Sequence, residues 1–350
     1  MQFVCAQEVL TLPYEANSLT EEQKAMNPDR LAYPTELKET IMKEVSFECN
    51  MGIVGLGPFS VSENKKVIFS PGNLQFNAMK GTHQCADGTS QSGTWRFAEH
   101  QWDYVGDAED GTVYENVTKC SNTKINATYT GWIDLFGWGT SGWEKSSANA
   151  YKPYETSKSY SDYNPGGYDN TDLTGTYAYA DWGVYNQIGD AHPGTWRILT
   201  KDGWVYLFYE RHHAEILFGI GTVDGVPGTI ILPDDWNTPS GVTFTPSIDK
   251  GLAWKDIYYT NSNEDNYSHN TYSATEWSKM ESGGAVFLPA AGYRSGTKVN
   301  HVSTYGNYWS STHNSSSYAY GLYFDISSLR PQYYNFRDFG FAVRLVSDVK

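Results

Sequence analysis

The first fifty residues carry a helical pattern. Residues 14–45 start with Ser, Thr and acidic side chains, as helices commonly do, and a proline interrupts the run. Beyond that proline, Leu37, Ile41 and Val45 recur at helical spacing. We therefore expect residues 1–50 to form a short helical N-terminal extension.

From residue 51 the pattern changes to short apolar runs between glycines and polar turns, which predicts strands. The predicted strands cover residues 67–70, 73–76, 94–97, 195–199 and 285–288. One predicted helix begins after Thr200 and carries Trp204, and another covers residues 275–281. Two stretches with little periodicity, around 80–93 and 144–193, are expected to be loop insertions. Residues 51–350 are thus expected to form one α+β domain.

Several side chains are expected in the core because each lies in an apolar block bounded by turn residues. They are Trp196, Trp204, Phe287, Trp309 and Val343. Arg294 and Arg344 lie in similar blocks, so we expect carboxylates or carbonyls to pair with their guanidinium groups. Tyr320, Leu322 and Phe324 alternate along the chain and are expected on one side of a C-terminal strand.

Composition and charge narrow the class of function. The chain has 25 basic and 40 acidic residues and a net charge of −15, which argues against a nucleic-acid partner, since phosphates require a basic face. Aromatic residues make up 15% of the chain, and Gly, Tyr and Trp are abundant, as in adaptable contact surfaces. No apolar run approaches the ~20 residues of a membrane span, so no transmembrane segment is expected.

The N-terminus favours export. Val4, Cys5 and Ala6 before Gln7 are similar to the small-residue end of a secretory signal, so residues 1–6 are interpreted as a signal remnant. We expect an extracellular or outer-surface location. The alternative is a native start in an intracellular or phage-particle protein.

Cysteine and acidic residues give weak signals for chemistry. Cys85 and Cys120 could be bridged or free, and no cysteine follows Cys120. Asp234-Asp235 and the acids at 107–110 are candidate catalytic carboxylates, although turns commonly carry such pairs. We expect no cofactor. Structural calcium at residues 107–110 or 264–265 stays open without a recognisable calcium-loop motif.

The C-terminal region has a different organisation. Apolar, glycine-containing blocks at 285–295, 306–312, 319–324 and 337–346 alternate with loops rich in Tyr, Ser, Asn and His. Variable polar and aromatic loops on regular strands are typical of a binding face on a rigid sheet. The alternative is a tyrosine-rich sheet surface without a ligand.

The chain resembles the C-type-lectin-like domain of the formylglycine-generating, sulfatase-modifying enzyme superfamily. The resemblance covers residues 57–347 and rests on blocks such as GTWRILTKDGWVYLF, GAVFLPAAGYRSGT, GNYWSST and GFAVRLV. It is closer to a non-enzymatic branch in surface proteins of gut bacteria, and it implies a C-type-lectin-like fold. The enzymes use two cysteines near the C-terminal end, which this chain lacks, so we expect no enzymatic activity.

The chain also resembles the variable proteins of diversity-generating retroelements, which share this fold and end in similar YWSS and VRLV blocks. In those proteins, adenine-directed mutagenesis varies exposed C-terminal positions that bind ligands. The resemblance implies that the corresponding exposed, ligand-binding residues here are His313, Asn314, Ser315, Ser317, Tyr318, Tyr323, Asp325, Tyr333, Tyr334, Asn335, Phe336, Asp338 and Phe341.

We therefore expect a secreted or surface-exposed binding protein whose ligand is a protein or a glycan on another cell or surface. One alternative is a structural subunit of a surface fibre or phage particle, in which residues 1–50 dock to a neighbouring subunit. Another is an enzyme, either a relative of the oxidase or a glycan hydrolase. A hydrolase would need two carboxylates that converge in a cleft.

Overall fold

The computed structural model describes residues 57–106, 121–167, 171–247, 257–258 and 267–349. The expected N-terminal helices, the signal-like residues 1–6 and both calcium candidates lie outside these residues. The described residues belong to one compact unit, Leu56–Lys350. Among them, no helix has the length and apolar character that crossing a membrane requires.

The described domain is mixed α/β, with many strands and few helices. Strands β1–β6 are Phe59–Ser62, Lys65–Phe69, Leu74–Gln84, Ser90–Phe97, Arg197–Ile198 and Phe218–Val223. Strands β7–β12 are Val226–Ile231, Ile257–Tyr258, Thr271–Tyr272, Val286–Pro289, Tyr293–Ser295 and Lys298–Asn300. Strands β13–β17 are Gly306–His313, Tyr318–Phe324, Ser328–Phe336, Phe339–Gly340 and Leu345–Asp348.

The strands form several small sheets instead of one large one. Their orders are β1-β2-β17-β5, β10-β7-β6-β9, β12-β11-β16, β13-β14-β15-β8 and β3-β4. Strand β17 pairs antiparallel with both β2 and β5, so the start and the end of the described domain share a sheet. Strands β13, β14 and β15 form an antiparallel meander, which carries most of the predicted binding residues.

Two of the three described α-helices begin where the sequence predicts them, and the first of the three along the chain lies in a region that was expected to be a loop insertion. Helix α1 is Trp182–Tyr185, α2 is Lys201–Val205 and α3 is Ala274–Ser282. The Thr200 side chain accepts a hydrogen bond from the Gly203 N–H at 3.0 Å and caps α2. Ser273 and Glu276 form a capping box at the start of α3. Helix α2 continues as a single π-helical stretch, Tyr206–Glu210, that buries Leu207 and Phe208.

The predicted core residues are buried, which confirms the interpretation of the apolar blocks. Trp196, Trp204, Phe287, Trp309 and Val343 are each at most 6% exposed. Leu322 and Phe324 of β14 are also buried, whereas the Tyr320 ring is half-buried under the Lys201 ammonium group at 5.2 Å.

Both predicted buried arginines hydrogen-bond carbonyl groups. Arg294 donates through Nε to the Leu135 carbonyl at 3.1 Å and through Nη1 to the Gly296 carbonyl. Arg344 donates through Nη2 to the side-chain amide oxygen of Gln101 at 2.7 Å. Burial lowers the pKa of each to about 10, so both stay charged at neutral pH.

The two expected loop insertions differ from each other. The first expectation is wrong, because residues around 80–93 belong to the long β3–β4 hairpin, whose first strand runs from Leu74 to Gln84. The second region, 144–193, is largely irregular as expected, and its described residues form short helical turns and the four-residue helix α1. It also supplies buried side chains such as Tyr163 and Trp182, so it is part of the packed domain.

Candidate functional site

A concave pocket of about 320 Å³ lies where β14 and β15 meet β11, β13 and β16. We call it the aromatic pocket. Its lining residues are Tyr293, Tyr305, Asn307, Tyr323, Asp325, Ser327, Ser328, Arg330, Tyr333, Asn335 and Phe339. Four of the predicted ligand-binding residues come together here: Tyr323, Asp325, Tyr333 and Asn335.

Three tyrosines form one group of rings in the pocket lining. The Tyr323 ring contacts Tyr333 at 5.0 Å and Tyr305 at 5.4 Å between centroids. Its hydroxyl donates a hydrogen bond to Oδ2 of Asp325 at 2.7 Å. Burial and this bond to a carboxylate both raise the pKa of Tyr323, so its phenol remains a neutral donor at physiological pH.

A second group of rings joins the first through a histidine. Tyr293 stacks on Phe339 at 5.3 Å and on His301 at 5.7 Å. His301 in turn stacks on Tyr305 at 4.1 Å. Because each ring packs against a neighbour, the aromatic lining is fixed before a ligand binds, which lowers the entropy cost of binding.

Polar side chains complete the lining. They are Asn307, Asp325, Arg330 and Asn335 together with Ser327 and Ser328. Oδ1 of Asp325 accepts hydrogen bonds from the N–H groups of Ser327 and Ser328 at 2.7 and 2.8 Å, which fixes the turn between β14 and β15. The Arg330 guanidinium lies 6.0 Å from the centre of the Tyr333 ring. The described lining thus offers one carboxylate and one guanidinium, and its formal charges balance.

The predicted binding residues do not all share one face of the meander. Tyr318 pairs with Phe336 across the strands, and Tyr334 pairs with Tyr320. Because side chains alternate along a strand, these residues lie on the side opposite to Tyr333 and Asn335. Their rings also contact one another, with centroid distances of 4.5 Å from Tyr318 to Phe336 and 5.5 Å from Tyr318 to Tyr334. This group borders the pocket lining, because Phe336 lies 6.0 Å from Phe339.

The loop that contains residues 313–317 is held in place by a buried arginine. The Arg337 guanidinium donates to the backbone carbonyls of Ser315 and Tyr318, and its backbone N–H donates to the Ser317 carbonyl at 3.1 Å. Burial lowers the pKa of Arg337 to about 10, so it remains a cation. Arg337 was not among the residues predicted from the sequence. Its position in an apolar block, like that of Arg294, is the signal that could have indicated it.

Two residues of the irregular region 144–193 also contact the predicted binding residues. The Tyr160 ring stacks on Phe336 at 5.8 Å and is 42% exposed. Oδ1 of Asp172 lies 2.6 Å from Nδ1 of His313 and accepts its backbone N–H at 2.9 Å. In the sequence, only composition pointed to these contacts, since this region is rich in Tyr, Ser and Asn, as the C-terminal loops are.

Two of the predicted exposed residues are buried, so their assignment to the ligand face is wrong. Phe341 is 2% exposed and stacks on Trp309 at 4.2 Å. Asp338 is 5% exposed, and burial raises its pKa. The reason is that the chain turns after β15, and β16 pairs with β11, which directs the following residues into the core.

A larger cavity, of about 360 Å³, lies beside the β3–β4 hairpin and contains none of the predicted binding residues. Several of its polar side chains form hydrogen bonds with other groups of the protein. His83 hydrogen-bonds the Gly93 carbonyl and the Asn186 side chain at 2.9 and 2.8 Å. Gln91 donates to the Gly142 carbonyl at 3.0 Å. The aromatic pocket, in contrast, brings four of the predicted binding residues together, so it is the candidate ligand site.

Among the residues that the sequence offered as candidates for catalysis, disulfide bonding or metal binding, Asp234 makes structural contacts. Asp234 accepts hydrogen bonds from Ser60 and lies 3.1 Å from Lys66 and 3.3 Å from Arg211. Burial opposes ionisation of Asp234, but the Ser60 hydrogen bonds and the two cations lower its pKa overall. Cys85 is a buried free thiol, and Cys120 lies outside the described residues. In the described part of the chain, no three His, Cys, Asp or Glu side chains are grouped as metal ligands.

Comparison with known proteins places the pocket within a matched region. A family model described as a domain of unknown function (DUF8237) matches residues 254–346. No curated protein and no solved structure matches the chain. All lining residues of the aromatic pocket fall inside the matched region.

Proposed function

We propose that this protein is a ligand-binding protein and that the aromatic pocket is its binding site. The observation that carries the proposal is the convergence of Tyr323, Asp325, Tyr333 and Asn335 in one concave site. Small-molecule and recognition sites are typically concave, lined by aromatic rings and equipped with a few polar groups that fix orientation. Tyrosine supplies a large contact area at a low conformational cost.

The surroundings of the pocket support a binding function because they hold it rigid. Asp325 fixes the turn at one end of the β14–β15 hairpin, and Arg337 fixes the loop near the other end. A rigid, preformed site loses little entropy on binding. Of the described lining residues, only Asp325 carries a carboxylate, whereas a glycan hydrolase uses two.

We also propose that the domain has a C-type-lectin-like fold and acts outside the cell, on a ligand carried by another cell or surface. The sequence blocks that carry the resemblance support this proposal, because they occupy the buried strands of the domain. GNYWSST lies on β13, AYGLYF on β14 and GFAVRLV leads into β17. The residues between these blocks supply much of the pocket lining.

The pocket is tested by comparing two double variants for binding to mucin-coated and epithelial-cell surfaces. Tyr323→Ala with Tyr333→Ala should weaken capture by about 10- to 100-fold, since central aromatic side chains commonly contribute about 1.4–3 kcal/mol to binding. The matched control is Met79→Ala with Tyr209→Ala, whose side chains are 56% and 46% exposed and lie outside the pocket. The control should bind as the unchanged chain does.

Two outcomes of the surface-binding comparison would contradict the proposal. One is equal capture of the pocket variant and the unchanged chain. The other is that no tested surface captures the unchanged chain. Circular dichroism of both variants is the check that they are folded, so a loss of capture can be assigned to the pocket.

We further propose that the exposed C-terminal positions are diversified, as in the retroelement variable proteins that the chain resembles. A near-identical template copy of the gene's 3′ end should then lie beside a reverse transcriptase gene. Differences should fall at template adenines in codons of exposed residues and should spare the codons of buried Asp338 and Phe341. Sequencing of the neighbouring genome tests this, and a neighbourhood without any such copy would end the proposal.

A further inference from the structure

We propose that the aromatic pocket holds one neutral pyranose ring of a glycan. This inference rests on the proposed binding function, because it names the ligand class of the same pocket. The sequence allows either a protein or a glycan as the ligand, and this inference chooses the glycan.

The size of the pocket fits one sugar ring. Its volume of about 320 Å³ lies at the lower end of the range for small-molecule sites, roughly 300–1,000 Å³. That volume equals about ten water molecules at ~30 Å³ each. A single pyranose with a few bridging waters fits this space, whereas a peptide helix does not.

The aromatic lining matches the apolar faces of a pyranose. The C–H groups on one face of a sugar ring pack against an aromatic ring, and its hydroxyl groups point outward around the edge. Tyr333 is half-buried and inclined by 41° to Tyr323, so part of its ring surface faces the pocket. Tyr293 stacks on both Phe339 and His301 and supports the lining. A lining of this kind contributes contact area without requiring charge.

The polar groups match the hydroxyl groups of a sugar. The Asn335 amide oxygen accepts the Phe336 N–H, so its NH2 group is the donor that faces a ligand hydroxyl. The Asn307 NH2 group donates to the Gly292 carbonyl, so its amide oxygen is the acceptor. Asp325 adds an acceptor and Arg330 adds donors. The Tyr323 hydrogen is directed to Asp325, so the Tyr323 oxygen is left to accept a hydrogen bond from a ligand hydroxyl.

The charge of the lining disfavours the main alternative occupant, a basic side chain of a protein ligand. Aromatic cages that bind Lys or Arg attract the cation through ring faces. Here the Arg330 guanidinium lies 6.0 Å from the Tyr333 ring centre, and the Asp325 carboxylate balances its charge. The lining therefore has no net charge that would hold either a further cation or an anion. A neutral ligand fits this balance.

The test is saturation-transfer difference NMR of the full chain with a panel of methyl pyranosides: glucoside, galactoside, mannoside, fucoside and N-acetylglucosaminide. We expect at least one to receive saturation at its ring C–H protons. Tyr333→Ala should weaken its affinity about tenfold or more, and Asn335→Ala should change the preference among the panel. Tyr333→Phe keeps the ring and should retain binding. Tyr209→Ala is the control and should leave the affinity unchanged.

The outcomes distinguish this inference from the proposed function. Failure of the whole panel, combined with surface capture that Tyr323→Ala/Tyr333→Ala abolishes, overturns the sugar assignment and leaves a protein ligand in the pocket. Sugar binding that survives both Tyr333→Ala and Asn335→Ala also overturns it, because the sugar then binds elsewhere. Loss of sugar binding in Tyr333→Ala with retention in Tyr333→Phe supports stacking on that ring.

Discussion

Trp309→Ala should lower the free energy of unfolding by about 3–5 kcal/mol, the usual cost of removing a large aromatic side chain from a core. Trp309 is fully buried, and its indole Nε1 donates to the Phe136 carbonyl at 2.7 Å. It also stacks on Phe341 at 4.2 Å. The substitution therefore leaves a cavity beneath the meander and removes one of the two hydrogen bonds to the Phe136 carbonyl, which also accepts the Phe341 N–H at 3.0 Å.

Urea unfolding followed by far-UV circular dichroism measures this loss. Trp309→Phe is the matched variant. It keeps an aromatic ring that can stack on Phe341, loses only part of the side-chain volume and loses the hydrogen bond completely. Trp309→Phe should lower the free energy of unfolding clearly less than Trp309→Ala does. The exposed-site control Met79→Ala, at a residue that is 56% exposed, should change the stability by no more than about 0.5 kcal/mol. A loss below about 1 kcal/mol in Trp309→Ala, far under the usual range, would show that β13 is not packed as described.

Arg337→Met should have the second-largest effect, a loss of about 2–4 kcal/mol in the free energy of unfolding. The substitution keeps side-chain length but leaves the carbonyls of Ser315 and Tyr318 without their charged donor, and hydrogen bonds to charged groups are worth about 1.5–3 kcal/mol. It also removes the cation that lies 4.5 Å from the Trp138 ring.

The consequence of Arg337→Met should be concentrated in the loop that it holds. Amide hydrogen exchange should become faster at residues 314–318 than in β3 and β4, which lie in another sheet. Arg337→Lys is the informative partner variant, because it keeps the charge but not the two-sided guanidinium fork. Its stability should lie between those of the unchanged chain and Arg337→Met. Unchanged exchange at residues 314–318 in Arg337→Met would refute a positioning role.

Local patterns allowed much of the scaffold to be predicted from the sequence. The Thr200 cap depends on residues three positions apart, and the structure confirms it. The burial of Trp204 and Phe287 follows from apolar blocks that are too short and too apolar to lie at the surface. Within the described domain, capping and short-range periodicity were therefore sufficient for these elements.

The site was harder to predict because its geometry depends on pairing between distant segments. Asp338 and Phe341 follow an aromatic, polar stretch and resemble exposed residues, but pairing of β16 with β11 buries them. Tyr160 reaches Phe336 from a region without periodicity, so no local pattern could place it. The pocket itself depends on which of two alternating faces each tyrosine occupies, and this in turn depends on strand register.

Hydroxyl-radical footprinting of the chain, free and bound to the surface that captures it, tests the central claim most directly. It reports the solvent accessibility of individual tyrosine side chains, and it works with a ligand whose chemical identity has not been determined. If the aromatic pocket is the binding site, oxidation of Tyr323 and Tyr333 should fall several-fold on binding, while oxidation of Tyr209 should stay the same. Protection at Tyr209 with unchanged oxidation of Tyr323 and Tyr333 would contradict the assignment of the pocket.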